Sequence, residues 1–156
     1  MKTNVKYLNS WYNVNSNKGT VFCKLTFGID LDKITSIDLV RNSPKYHKLI
    51  NDLTNPYTGI ATLEYQNQDN DDFCCSEMLV FKTYGIAYCS GEDKFNESFG
   101  KKLANTRAQR ESFKIAKEFY DSLFEILMTE VHNIVRLSMN CDSVAYKCKG
   151  HELNLR

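Results

Sequence analysis

The chain has 156 residues, 42% of them hydrophobic and 25% charged, with a formal net charge of +1. These totals suit one folded domain with a real core and exclude intrinsic disorder. No apolar run approaches the roughly 18 residues of a membrane span, and the polar start MKTNVKYLNSWYNVN lacks a signal peptide's apolar core, so a cytoplasmic protein with no membrane partner is expected.

Gly19-Thr20 opens VFCKLTFGI, where Val21, Cys23, Leu25 and Phe27 alternate with Phe22, Lys24 and Thr26. That alternation predicts a strand with one apolar face. Ser43-Pro44 supplies an N-cap and a proline at the first helical position, which predicts a short helix over 44–53 ending before Asn55-Pro56. The segments TGIATLEYQ, CSEMLVFKT and YGIAYC read as three further strands, the first two separated by the acidic loop NQDNDD. Asp69, Asp71 and Asp72 of that loop are candidate binding residues, with solvated turn carboxylates as the plainer reading.

From Asn96 to Asn140 the sequence predicts a long amphipathic helix or a helix pair. No glycine or proline occurs between Gly100 and Gly150, and Phe113, Ala116, Tyr120, Leu123, Leu127, Val131, Ile134 and Leu137 recur at helical spacing. A break near Arg110–Ser112, or pairing with a second copy, would resolve a helix longer than the domain is wide. The tail SVAYKCKG alternates as a final strand. The expected fold is therefore one α+β domain over 1–156: a mostly antiparallel β-α-β-β-β sheet portion over 20–95, packed on a helical portion over 96–140.

Six cysteines in a chain without a secretion signal are expected to be thiols. His132, Cys141, Cys148 and His151 come nearest to a metal-ligand set, but they lack compact paired spacing, and no metal or cofactor is expected. No phosphate loop, GxSxG or HExxH motif occurs, so the chain is read as non-enzymatic.

Between Cys89 and Gly100 the residues describe a strand-to-helix joint. Asp93 and Asn96 stand where a cap is needed, Phe95 and Phe99 can fasten the first turn, and Gly100 allows close approach to a strand. Beyond it the helix is basic. Lys101, Lys102, Arg107, Arg110, Lys114 and Lys117 are candidate binding residues, the last four forming a stripe roughly opposite the apolar face. Such a stripe can seat phosphates or an acidic protein surface, and it can equally be a solvated face.

Cys89, Asp93, Phe95, Asn96, Gly100, Leu103, Ala104, Arg107 and Ala108 fit the pattern C-x3-D-x-F-[N/D]-x3-G-x2-[LM]-A-x2-[RK]-A. Over these residues the chain resembles small phage- and prophage-encoded accessory proteins of low-GC Gram-positive hosts. The β-β-β-α order with Lys101-Lys102 at the helix start also resembles the C-terminal part of a double-stranded-RNA-binding domain. There the two lysines would contact phosphates. The first resemblance implies an enzyme-free inhibitor of a host defence protein or nucleoprotein complex, with CRISPR-associated nucleases as leading targets. The alternative expectation is an RNA or single-stranded-DNA binder using the basic stripe. A homodimer through the long helix is the remaining partner expected.

Overall fold

The computed structural model describes residues 4–34, 38, 40–67, 75–89 and 94–154. It shows an α+β architecture: strands β1 (Val5–Asn15) and β2 (Thr20–Asp30), helix α1 (Pro44–Thr54), strands β3 (Ala61–Asn67) and β4 (Cys75–Tyr88), and helix α2 (Glu97–Asn154). The four strands form one antiparallel sheet in the order β1-β2-β4-β3.

The alternation in β2 produces its expected face. Val21, Cys23, Leu25, Phe27 and Ile29 are all buried, and they meet Leu79, Phe81 and Ala87 of β4 on the same side. Helix α2 crosses this face with Ala104, Ala108, Ser112, Ala116, Phe119, Leu123 and Ile126 turned inward. Phe27 and Phe81 are register partners and stack with centroids 5.2 Å apart. Removing each such ring from water is worth about 1.5–3 kcal/mol. The predicted cap of α1 forms: Ser43 Oγ accepts from the Lys45 amide at 3.3 Å, and Pro44 follows at N1.

Three expectations are corrected. The polar N-terminal segment is an edge strand, paired along its length with β2, so the sheet begins at Val5 rather than near residue 20. CSEMLVFKT and YGIAYC are one continuous strand, β4, so the order is β-β-α-β-β-α instead of β-α-β-β-β. Gly85 lies inside this strand. It makes room for α2, because a Cβ there would lie 2.0 Å from the Ala104 carbonyl oxygen.

The third correction concerns α2, an unbroken helix of 58 residues, roughly 87 Å long at 1.5 Å per residue. No break occurs at Arg110–Ser112, since the buried Ser112 hydroxyl donates to the Gln109 carbonyl at 2.7 Å and stays in the helix. SVAYKCKG is helix as well. Its alternation spans too few residues to demand a sheet, and no partner strand is present for it among the described residues.

Candidate functional site

The joint before α2 is assembled largely as its residues suggest. Asn96 Oδ1 accepts from the Phe99 amide at 3.0 Å, and the Asn96 carbonyl accepts from Gly100 at 2.9 Å. Phe95 packs against the cluster of Val21, Cys23, Ala87 and Ala104, whereas Phe99 is exposed. The aromatic fastening therefore rests on Phe95. Asp93 lies outside the described residues.

The basic stripe is present on α2, and most of it is already engaged. Lys101 pairs with Glu97 at 2.6 Å and lies over the Tyr12 ring. Lys114 binds Glu111 at 2.8 Å, and Lys117 binds Asp121, which holds its ammonium above the ordinary lysine range by hydrogen bonding. These are i,i+3 and i,i+4 pairs on an exposed face, where solvent screening leaves them weak. Arg107 is used differently. Its guanidinium donates to the Ile86 carbonyl, on the stretch of β4 beyond Phe81 where β3 no longer pairs. Lys102 and Arg110 are exposed and carry no ion pair among the described residues.

The acidic loop residues Asp69, Asp71 and Asp72 lie outside the described residues. His132 and Cys141 are nine positions apart on one helix, so they project on opposite sides, about 180° apart. They cannot share an ion within one chain. Nor do the described residues contain any group of three or more metal-ligating side chains. The side chain of His151 is not among those described.

The second surface was not read from the sequence. It is the sheet face turned away from α2. Register places Asn13, Phe22 and Ile86 in one row across β1, β2 and β4, then Trp11, Lys24 and Tyr84, then Asn9, Thr26 and Lys82. Because side chains alternate along each strand, all nine face outward. Trp11 is 54% exposed and Tyr84 51%. Trp11 meets Phe22 edge-on at 6.3 Å, and Phe22 stacks on Tyr84 at 5.5 Å, giving a bent aromatic line in which Trp11 and Tyr84 flank Lys24 in one row and Phe22 stands in the next. Lys24 stands within that line and Lys82 beside it. Asn9, Trp11, Lys24, Thr26 and Lys82 border a shallow groove of about 420 Å³.

An exposed aromatic line among lysines offers flat rings to stack on and cations within reach of phosphates. Cross-strand aromatic pairing accounts for part of the arrangement, at roughly 0.2–1 kcal/mol per pair. It does not account for Trp11 and Tyr84 being left half exposed on either side of the partly buried Phe22. A signal was available in principle: Phe22 and Lys24 occupy the outward positions of the predicted strand, and Trp11 lies four residues after Tyr7 and next to Tyr12.

The fold and this face define a sheet-and-helix α+β protein with one sheet surface covered by α2 and the other bare among the described residues. No protein-family model, curated protein or solved structure matches the chain.

Proposed function

We propose that the protein is a non-enzymatic binder of single-stranded nucleic acid, with the bare sheet face as its binding surface. Bases stack on Trp11, Phe22 and Tyr84, and Lys24 and Lys82 hold the flanking phosphates. The observation that carries this reading is the bent line of three rings around Lys24. The same logic serves other four-stranded sheets that stack bases on exposed aromatics. Lys102 and Arg110, the uncommitted members of the α2 stripe, lie on the other layer and would add only non-specific attraction.

Trp11 is the only tryptophan in the chain, so its fluorescence reports directly on this face. Titration with short single-stranded RNA and DNA should quench it, and the apparent affinity should fall steeply with salt. Tyr84→Ala should weaken binding about 5- to 150-fold, the equivalent of one stacked base. Absence of quenching and of any mobility shift at low salt would overturn the reading.

The inhibitor of a host defence complex is the second reading. Its phosphate mimicry would draw on exposed Glu118 and Glu125 of α2, because Asp121 is paired with Lys117 and Glu130 accepts from Ser43 at 3.0 Å. A stoichiometric protein partner captured from host lysate, and lost on Glu118→Lys with Glu125→Lys, would favour it over the first.

A further inference from the structure

Helix α2 leaves the sheet after Glu130. Every residue from Val131 to Lys149 is exposed, including Ile134 at 66%, Leu137 at 61% and Val144 at 59%. We infer that this overhang is the pairing surface for a second copy of the chain, with the two α2 helices running antiparallel. The inference stands independently of the nucleic-acid reading.

Two features identify the occupant. The first is spacing. Phe124, Leu127, Val131, Ile134, Ser138, Cys141, Ala145 and Cys148 follow the alternating three–four interval of a heptad seam. Phe124 is 61% exposed even though it lies over the body of the protein, so the seam starts before the overhang does. The seam is large and apolar from Phe124 to Ile134 and continues with small side chains from Ser138 to Cys148, so a large half can pack on a small half.

The second feature is charge. From Glu118 to Glu130 the helix carries Glu118, Asp121, Glu125 and Glu130 and no basic residue. From Val131 to Lys149 it carries Arg136, Lys147 and Lys149 against the single acid Asp142. A parallel pair would lay acid on acid and crowd two sheet bodies at the same end. An antiparallel pair lays the acidic half of one helix on the basic half of the other. Aligned with Val131 opposite the partner's Ile134, it sets Leu127 opposite the partner's Ser138 and Phe124 opposite the partner's Cys141. Glu118 then stands level with the partner's Lys147 along the axis, both on the outer faces of the pair. The surface is complementary to itself, as a two-fold interface requires.

Light scattering on the full chain should give twice 18.0 kDa, with dissociation only on dilution. Val131→Asp with Ile134→Asp should give a monomer with unchanged circular dichroism, because both positions are exposed. Orientation is read by oxidation. Phe124→Cys should cross-link to the partner's Cys141, while the unmodified chain should not cross-link through Cys141. A monomer at about 100 μM, a double-aspartate variant that stays dimeric, or cross-linking of Cys141 to its own counterpart would each overturn the inference.

Discussion

Gly85 and Ala104 are in backbone contact: a Cβ added at Gly85 would lie 2.0 Å from the Ala104 carbonyl oxygen and 2.6 Å from the Ala108 amide nitrogen. Backbone atoms of a helix pinned at both ends of the sheet cannot yield as a side-chain tip can. Gly85→Ala should therefore cost at least about 2 kcal/mol by overpacking. That corresponds to a drop of roughly 4–8 °C in Tm for a domain of this size. Thermal circular dichroism checks it. A Tm within a degree of the parent would mean that α2 does not sit this close to β4.

Arg107 covers a weakness of β4. Beyond Phe81 the strand has no paired neighbour on the β3 side among the described residues, and the Arg107 guanidinium donates to the exposed Ile86 carbonyl. Unpaired strand edges invite pairing with other chains. Arg107→Ala should lower stability by about 1 kcal/mol. It should also raise turbidity during prolonged incubation at moderate heat, whereas Arg110→Ala, with no such partner, should do neither.

The cap of α2 rests on one side chain among the described residues. Asn96→Ala removes the acceptor for the Phe99 amide and should cost about 1 kcal/mol, while Asn96→Asp should be neutral or slightly stabilising beside the positive helix end. Denaturant midpoints for the two variants provide the comparison.

Tyr120 introduces a dependence on alkaline pH. Its hydroxyl is buried with no hydrogen-bond partner among the described residues, and burial pushes its phenol above the ordinary tyrosine range. As pH rises, the unfolded chain loses this proton first, so the stability is intact below about pH 10 and declines above it. Tyr46, also raised chiefly by burial, acts in the same direction. Tyr120→Phe should leave Tm at pH 7 unchanged or slightly higher, since it removes an unsatisfied polar group. It should also make the alkaline fall in Tm shallower. An unchanged alkaline slope would show that the phenol is solvated.

Local signals with one meaning were legible in the sequence. Ser43-Pro44 fixed the start of α1, and the alternation of Val21 to Phe27 fixed the inward face of β2. Signals with two meanings were misread. CSEMLVFKT and YGIAYC fit two short strands or one long one, and only pairing with β2 along the whole length separates the two. Strand β1 was hidden because an edge strand, with one face on the solvent and little burial on the other, need not be apolar. The stripe on α2 was visible as a row of cations. Its neutralisation by Glu97, Glu111 and Asp121 follows from three- and four-residue spacings already present in the sequence. The aromatic line could not be read locally. Trp11, Phe22 and Tyr84 come from three strands and become neighbours only through the β1-β2-β4 order.

The uninterrupted course of α2 has a mechanical consequence. With no glycine or proline between Gly100 and Gly150, the helix has no built-in hinge. The part from Val131 to Lys149 is then a lever arm of roughly 28 Å rooted in the core through Phe119, Leu123 and Ile126. A sideways force at its far end is delivered as torque on the layer between helix and sheet and on the start of α1, where Ser43 donates to Glu130.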